Sequence, residues 1–523
     1  MRTVEIRDIT KDFEDARSLV ETFLKRNRVS DVIVSETMVI FEALCHNIYE
    51  QQGENTVLTV TGKRRFGGAG IIINFEGDMY ISDQDYPGEP TPEDRILSAY
   101  GDRIDYIYSS RFNSIRIMAR RSYVGASIAY MMAVLLALVV YAVMHTTAGA
   151  EVESTFRTTV VFPLETLFTN AMMMIGAPVT FLSLLKNLTG TYILSERDSG
   201  MRELTRRTLA SSAISVLLAI VMCRITYAMS SSIDLMRGEY GNLHIQFDLG
   251  DFIMGLMPSD ILTPFMTISP FPLILLAAIF TYAFCSVGKY FDKMINAINV
   301  CYALFSRMLT IIMSTLPIFT FFAILDILLV ESYDAVIECG KLILIIIVSL
   351  ILPVLYYMLR LAARGISIPK FAKRLRPMLG ENFKIASAID AVPYNIRYCM
   401  KNFGLDRKKL EVTMPVLAQI NLDGNCYVLT LIAGILFMFS GSGFQLGELI
   451  LIGVLIFVLS LGAPNQPGSC IIGILIIIHY LGAYALIPFA FFAEVFFGGL
   501  LNLMNVTGDV VTVVTKERPN LRD

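Results

Sequence analysis

The pattern of apolar and polar residues divides the chain into two regions near residue 121. Up to about residue 120, apolar and polar residues alternate over short stretches at 56–61, 69–75 and 114–119, between charged helical segments. From Tyr123 to His145 the pattern becomes a run of about 20 apolar residues, the length a helix needs to cross ~30 Å of hydrocarbon. The sequence therefore predicts a small α/β domain over 1–120 and a membrane region over 121–523.

Further apolar segments fill the membrane region, and some are interrupted by Pro, Gly or polar residues. These segments cover roughly 158–185, 208–229, 250–287, 294–330, 341–359, 411–439, 446–481 and 483–515. The clearest breaks are Ser387–Pro393 and Gly462–Gly468. Irregular backbone at membrane depth is tolerated where protein or a water-filled cavity satisfies the freed amides and carbonyls, as in transporters with broken helices.

Composition and charge agree with a membrane protein and indicate its orientation. Hydrophobic residues make up 54% of the 523 residues, and the net charge is only -3, so a nucleic-acid partner is not expected. Lys and Arg cluster after residues 185 and 359 and before 411, whereas the opposite connections are acidic, which places the basic ends in the cytoplasm. The first residues show no signal-peptide pattern. We therefore expect a multi-pass protein of the cell (inner or plasma) membrane with both termini in the cytoplasm.

The cysteines and histidines are not spaced as they are in a thiophilic metal site or an enzyme active site. The eight cysteines form no CxxC pair and mostly lie in apolar segments, where a thiol packs as a small hydrophobe. The four histidines are scattered, so no nucleophile, base and orienting group can be assembled. We expect neither a disulfide framework nor a zinc site, and we expect the protein not to be an enzyme.

Two acidic residues stand in apolar surroundings. Asp423 lies two residues after Asn421, and Asp509 follows Asn502 and Asn505 at helical spacings that place all three on one face. An ionised carboxylate in hydrocarbon costs several kcal/mol unless it is paired or faces a cavity, and no Lys lies near either acid within its segment. Carboxylate, amide and carbonyl oxygens suit alkali or alkaline-earth ions, so a bound cation is the natural partner.

A structural alternative exists for each acid. Asp509 would then lie at the membrane interface near Lys516 and Arg518, and Asp423 would be hydrogen-bonded within the helix bundle. The two motifs together, with two broken segments beside them, favour the functional interpretation.

The two motifs resemble those of the dicarboxylate/amino acid:cation symporters, the family that contains the sodium-coupled glutamate and aspartate transporters. Asn421-Leu-Asp423-Gly stands where that family has its NMDG motif, and Asn505-Val-Thr-Gly-Asp509 matches its NVTGD motif. The stretch Pro163–Pro178 is similar to the second helix of the family. The resemblance covers about three quarters of the chain.

The resemblance implies an α-helical polytopic membrane protein with eight transmembrane helices plus two re-entrant hairpins. The hairpins would lie near 370–404, entering from the cytoplasm, and near 445–481, entering from outside. The family also implies a homotrimer, an elevator-like movement of a transport domain past a scaffold, and symport of a small-molecule solute coupled to Na+, with H+ as the alternative ion. The implied cation ligands are the side chains of Asn421, Asp423, Asn505, Asp509, Thr208, Ser211 and Ser212, and the backbone carbonyls of Gln419, Ser460, Leu461 and Ala463.

The substrate positions depart from the family pattern. Counting back from Asn505, the positions of the family's amino-anchoring Asp and carboxylate-anchoring Arg read Gly498 and Leu501. Loss of a charge-paired contact in a dry site costs on the order of 2–5 kcal/mol, so we predict a small polar solute, neutral or singly charged, instead of an acidic amino acid or dicarboxylate. The predicted substrate contacts are Ser387, Ala388, Asp390, Asn425, Asn465, Gln466, Gly498, Leu501, Asn502 and Asn505, with Glu494 as a further acid. Asp390 would alternatively serve a proton or a cationic substrate, or lie exposed at the hairpin tip.

The first domain resembles the Bergerat-type ATP-binding fold of anti-sigma kinases and histidine kinases. In that fold Glu and Asn, five residues apart on a helix, meet water and Mg²⁺-ATP, and the matching residues here are Glu42 and Asn47. The expected Asp-x-Gly-x-Gly box reads Asn74-Phe-Glu-Gly-Asp78, and no later Gly-Leu-Gly loop follows. We therefore expect a degenerate, non-hydrolytic regulatory domain without ATP. An alternative function is a non-transporting sensor, whose transporter-like bundle binds a ligand and signals to this domain.

Overall fold

The computed structural model consists of two compact units, Met1–Ala126 and Ser127–Asp523. The residues that the structure describes are 3–7, 12–53, 56–65, 68–77, 80, 97, 104–109, 112–120, 123–197, 199–229, 254–255, 257–286, 291–331, 334–385, 387–389, 391–439, 446–463, 468–480 and 482–517. Three predicted substrate contacts, Asp390, Asn465 and Gln466, lie outside them.

In its described residues, the first unit is an antiparallel sheet with two helices. Its strands pair in the order β1-β2-β3-β5-β4, and the three strands predicted from the alternating pattern overlap β2, β3 and β5. The elements are β1 (Thr3–Ile6), α1 (Phe13–Arg26), α2 (Asp31–Gln52), β2 (Leu58–Arg65), β3 (Gly68–Glu76), β4 (Ile104–Ser109) and β5 (Phe112–Arg120).

Alternation along the strands produces the core of this unit. Ile71 pairs with Ile117 and Ile73 with Ile115, and all four side chains are completely buried because every second residue of a strand faces the same side. Helix α2 lies against β5 and contributes buried residues such as Phe41. Although α2 is long and apolar enough to cross a membrane, its contact with the sheet assigns it to this unit.

All the regular secondary structure described in the second unit is helical. Its first described helix, α3, begins at Tyr123, and its last described helix, α19, ends at Glu517. The helices are α3 (Tyr123–Thr147), α4 (Ala150–Phe156), a π-helical turn (Arg157–Val161), α5 (Phe162–Arg197), α6 (Ser199–Met229), α7 (Thr263–Met266), α8 (Pro270–Ser286), α9 (Phe291–Met313), α10 (Leu316–Glu331), α11 (Asp334–Ser349), α12 (Ile351–Ala362), α13 (Ile368–Ile385), α14 (Val392–Phe403), α15 (Arg407–Ile420), α16 (Asp423–Phe439), α17 (Leu446–Leu461), α18 (Ser469–Tyr480), a 3-10 turn (Tyr484–Leu486) and α19 (Ile487–Glu517).

The outer helices expose apolar faces that suit lipid. Eight described helices are long and apolar enough to span a membrane, and all except α2 lie in this unit. Met132 and Val139 on α3 and Val300 on α9 are 62%, 59% and 70% exposed. Apolar faces of this kind would aggregate in water, whereas helices satisfy their backbone groups internally in hydrocarbon. The chain is therefore an α-helical, multi-pass membrane protein with a small N-terminal sheet unit, as predicted.

Two pairs of short helices correspond to the predicted hairpins near 370–404 and 445–481. The arms α13 and α14 contain 18 and 12 residues, and the arms α17 and α18 contain 16 and 12. At ~1.5 Å per residue, each arm is shorter than the ~30 Å needed to cross the hydrocarbon core. Arms of this length are what the predicted re-entrant hairpins require. The predicted apolar segment 250–287 differs from the structure, because its long helix begins only at Pro270.

Helix α19 is the centre of the buried core that carries the polar residues. Val506, Val510 and Val514 of α19 are fully buried and pack in one cluster with Tyr357 of α12 and Leu417 of α15. The first hairpin joins the same cluster through α13 and α14. This packing brings the polar residues of α19 next to the gap between α15 and α16.

Candidate functional site

A helix break at Asn421–Leu422 forms the centre of the candidate site. Asn421 has non-helical backbone angles (φ -92°, ψ 87°) and ends α15, while Asp423 is the first residue of α16. Both side chains are completely buried. The carbonyl end of α15 therefore faces the amide end of α16 within the bundle, which places partial charges of opposite sign beside the two side chains.

Three hydroxyl groups hold the Asp423 carboxylate. The Ser211 and Tyr357 hydroxyls donate to Oδ2 at 2.8 Å and 2.9 Å, and the Ser212 hydroxyl donates to Oδ1 at 2.9 Å. Ser211 and Ser212 come from α6 and were predicted as ligands, whereas Tyr357 comes from α12 and was not. Asp423 is thus hydrogen-bonded within the bundle, as its structural alternative described.

Asp509 has a different environment on the other side of Asn421. It is 2% exposed in the middle of α19, and its Oδ1 accepts a hydrogen bond of 2.8 Å from Asn421 Nδ2. Asn421 Oδ1 has no hydrogen-bond partner although it is buried. A buried acceptor without a donor is unfavourable, and a cation is one group that would satisfy it. The interfacial location that was the alternative for Asp509 does not agree with its burial.

Asn505 fixes the distance between α16 and α19. Its Oδ1 accepts from the Gly424 amide at 2.8 Å, and its Nδ2 donates to Asn425 Oδ1 at 3.0 Å. A Cβ on Gly424 would collide with the Leu501 carbonyl, so the two helices approach to backbone contact here. In this geometry the Asn505 side chain joins helices, and its backbone carbonyl is the oxygen that faces Asn421, at 3.4 Å.

A glycine keeps a small space open between the two acids. A Cβ at Gly508 would lie 2.7 Å from Asn421 Nδ2, 2.8 Å from Asp423 Oδ2 and 3.1 Å from the Tyr357 hydroxyl. Polar groups thus surround the position that a side chain would occupy. The atom nearest to this position is the Asn421 amide nitrogen, a hydrogen-bond donor, so the unpartnered Asn421 oxygen is the group that fits an alkali cation. Among the described residues, no three His, Cys, Asp or Glu side chains group as a metal cluster.

The other predicted cation ligands are placed less directly. The Thr208 hydroxyl donates to the Leu204 carbonyl of its own helix at 2.9 Å, the usual bond of a helical Thr, and not to Asp423. Gln419 lies half-buried near the end of α15. Thr208 is buried one turn before Ser211 and Ser212 on α6, and its hydroxyl oxygen keeps its lone pairs for a cation.

Carbonyls of the second hairpin face α5. Asn187 Nδ2 donates to the Leu461 carbonyl at 2.8 Å, and the Ser183 hydroxyl donates to the Ala463 carbonyl at 3.4 Å. Ser460, at the end of the same arm, is buried. Two of the four predicted carbonyl ligands are thus hydrogen-bonded to side chains of α5, a partner that the sequence did not indicate.

Glu494 binds the second hairpin from the substrate side. Its carboxylate accepts from the backbone amides of Gly468 and Ile471 at 3.1 Å and 3.0 Å, at the start of α18, and it is 1% exposed. A Cβ on Gly498, one turn later in α19, would lie 2.9 Å from Glu494 Oε1. Gly498, which stands at the position of the family's amino-anchoring Asp, therefore lies against the Glu494 carboxylate. That carboxylate is already hydrogen-bonded to the second hairpin.

The remaining substrate candidates line the region between α19 and the first hairpin. Ser387 and Ala388 are buried at its turn. Asn502 is 6% exposed, and its Nδ2 donates to the Asn382 carbonyl of α13 at 3.4 Å. Leu501 is buried and apolar, so it provides no charge for an anionic substrate.

Arg360 is a functional candidate that sequence reasoning missed. It lies on α12, three residues after Tyr357, and its guanidinium donates to the Ser211 and Thr512 hydroxyls at 3.0 Å and 2.9 Å. The sequence analysis counted Arg360 among the basic residues that follow an apolar segment. Its position one helical turn from a Tyr was the signal that would have indicated an inward-facing side chain.

The nucleotide candidates of the first unit make structural contacts. Glu42 forms an ion pair of 3.2 Å with Arg17 of α1. Asn47 is buried, and its Oδ1 accepts from the Tyr80 hydroxyl at 2.8 Å. Five residues of helix turn through about 140° beyond a full circle, so the two side chains point in different directions.

Comparison with known proteins gives one family and several relatives. The model of the family described as "Sodium:dicarboxylate symporter family" matches residues 127–518. Two relatives named "C4-dicarboxylate transport protein 1", from Pseudomonas aeruginosa strain UCBPP-PA14 and from Pseudomonas paraeruginosa strain DSM 24068 / PA7, are each 26% identical over 275 residues, or 51% of this chain. The matches cover 60% and 61% of those proteins, so the chain spans about three fifths of the length of the curated relatives it matches.

Proposed function

The chain belongs to the sodium:dicarboxylate symporter family, and from this membership we propose that it is a secondary active symporter that moves a small polar solute with Na+. H+ is the alternative coupling ion. The observation that carries the proposal is the buried Asn421 Oδ1 without a hydrogen-bond partner, beside the buried Asp509 carboxylate. A Na+ ion bound there would satisfy both groups.

Charge supports a cation in the same place. Among the described residues, neither Asp423 nor Asp509 forms an ion pair with a Lys, Arg or His side chain, and both are buried. Two ionised carboxylates in one dry bundle repel each other, and Asp509, whose hydrogen-bond donor is the neutral Asn421 amide, favours a nearby positive charge. A transported cation supplies that charge reversibly, which is the requirement for coupling its movement to that of a solute.

The substrate half supports a solute other than a dicarboxylate or an acidic amino acid, unlike the relatives whose names specify C4-dicarboxylates. Leu501 offers no positive charge, and the Glu494 carboxylate already occupies amides of the second hairpin. A second acid in this region raises the free energy of an anionic ligand. We propose Asn425, Asn502 and the first hairpin turn as contacts for a neutral or singly charged solute.

We further propose the family's mechanism and setting for this chain. The two hairpins would act as gates of a transport domain that moves like an elevator within a homotrimer, in the cell membrane and with both termini in the cytoplasm. The first unit would be a regulatory domain with a degenerate ATPase-like fold. The family membership does not favour the alternative of a non-transporting sensor.

Uptake into proteoliposomes tests the proposal. A panel of neutral, cationic and anionic solutes would be screened with and without a Na+ gradient, using wild type, Asp509→Asn, and Glu411→Gln as a matched control. Glu411 is 47% exposed and lies on α15 in an ion pair with Arg407, away from the site. We expect Na+-driven uptake of a neutral or singly charged solute that Asp509→Asn abolishes and Glu411→Gln retains. Na+-driven uptake of aspartate or succinate would refute the proposed solute class, and Na+-independent uptake of every transported solute would refute Na+ coupling.

A further inference from the structure

Arg360 places a permanent positive charge behind the Asp423 carboxylate. Its Nη1 donates to the Ser211 hydroxyl at 3.0 Å, and that hydroxyl donates to Asp423 Oδ2 at 2.8 Å. Its Nη2 donates to the Thr512 hydroxyl of α19 at 2.9 Å. The guanidinium is part-buried, so solvent screens its charge only in part, and an Arg side chain is not deprotonated in proteins.

The two carboxylates of the site therefore differ in how they are compensated. Asp423 receives three hydroxyl hydrogen bonds, one of which connects it to Arg360. Asp509 receives an amide hydrogen bond from Asn421, whose own oxygen is left without a partner. Hydrogen bonds and positive charge are concentrated at Asp423, and the unsatisfied oxygen belongs to Asn421, the residue whose amide nitrogen donates to Asp509.

We propose that Arg360 is a built-in counter-ion for Asp423, so that the coupling Na+ binds only on the Asp509 and Asn421 side. This inference rests on the proposed Na+ coupling, and it adds where Na+ binds and how many ions bind. A cation beside Asp423 would be repelled by the guanidinium and would have to turn three hydroxyl groups away from the carboxylate. Arg360 thus limits how many ions the site takes and which carboxylate they bind.

The number of bound ions can be measured without knowing the solute. Purified full-length protein would be titrated with Na+ at constant ionic strength, with choline as the replacement ion, and thermal unfolding would be followed. The dependence of stability on the logarithm of Na+ concentration gives the number of ions bound by the folded protein. The variants are Arg360→Gln, Arg360→Lys, Asp423→Asn and Asp509→Asn, with Arg364→Gln, in the turn that follows α12, as the matched control.

We expect wild type, Arg364→Gln and Arg360→Lys to show a slope of about one ion, and Arg360→Gln to approach about two. Asp423→Asn should keep the Na+ response, and Asp509→Asn should lose it. The double variant Arg360→Gln with Asp423→Asn should return to the wild-type slope. This last comparison also covers the case in which Arg360→Gln alone does not fold.

Three results would overturn the inference. One is an Arg360→Gln slope equal to that of wild type, another is loss of the Na+ response in Asp423→Asn, and the third is a double variant that keeps a slope of about two. If wild type does not respond to Na+ but Arg360→Gln does, the proposed Na+ coupling fails while the role of Arg360 is supported. If no variant responds to Na+, both are refuted.

Discussion

Gly508→Ala is the change that most directly tests the space between the two acids. The new methyl group would lie 2.7 Å from Asn421 Nδ2 and 2.8 Å from Asp423 Oδ2, several tenths of an ångström closer than carbon normally approaches these atoms. The backbone of α19 cannot retreat easily, because its neighbouring valines are fully buried. The side chains must therefore move, and the Asn421 amide is the group in closest contact.

The magnitude follows from the hydrogen bond that would be lost. Moving the amide breaks its 2.8 Å bond to Asp509, and a hydrogen bond to a charged group contributes about 1.5–3 kcal/mol. Because 1.4 kcal/mol corresponds to a tenfold change in affinity, Na+ binding should weaken by about 10- to 100-fold. Alanine also favours a helix over glycine by about 0.8–1.0 kcal/mol, which partly offsets the destabilisation of the fold.

The assay is a Na+ titration of thermal unfolding, with Gly380→Ala as the control. Gly380 lies inside α13, and a Cβ there meets nothing within 4 Å, so this variant gains the same helix preference without a collision. We expect Gly380→Ala to match wild type in Na+ affinity. A folded Gly508→Ala protein that binds Na+ as tightly as Gly380→Ala would refute the assignment of the cation to Asn421 and Asp509.

Three further predictions concern the contacts around the site. Glu494→Gln removes a charged acceptor from the start of α18, so hydrogen exchange of the amides there should rise about tenfold, as loss of roughly 1.5 kcal/mol implies; unchanged exchange would show that the carboxylate does not hold the hairpin. Asn187→Leu leaves a hairpin carbonyl without its donor, and exchange in the turn of the second hairpin should increase about fivefold, given about 1 kcal/mol per hydrogen bond. Gly424→Ala forces α16 from α19 and should lower the unfolding midpoint and the monodisperse yield in size-exclusion chromatography, whereas Gly447→Ala, which meets nothing within 4 Å, should behave as wild type.

The sequence was informative where polar residues interrupt apolar runs. Asp423 and Asp509 were identified because a carboxylate is rare in such runs, and the structure indeed buries both. Ser211 and Ser212 were predicted through the family resemblance as cation ligands together with Asp423, and the structure places their hydroxyls on that carboxylate. The hairpins were recognisable because Pro and Gly divide each into arms too short to cross a bilayer.

Contacts between distant helices could not be predicted in the same way. Arg360 and Ser211 are separated by 149 positions, and counting basic residues near segment ends gives no information on the depth or direction of a side chain. The contact of Asn187 with the Leu461 carbonyl could not be predicted either. Periodicity does not show which backbone carbonyl, 274 positions away, a polar side chain will contact. Thr208 was assigned to the cation by its position in the family pattern and stays a prediction; its hydroxyl donates to the carbonyl four residues earlier.

The backbone contact between Gly424 and Leu501 has a consequence for how such a protein can change its solute in evolution or by design. The two helices meet through a carbonyl oxygen and an α-carbon, so the side chain at 501 takes no part in the spacing that Asn505 maintains. A new side chain can therefore be selected at 501 while the ion-binding atoms keep their positions. On this proposal, the side chain at 501 can change the preference for a solute without changing the residues of α19 that bind the coupling ion.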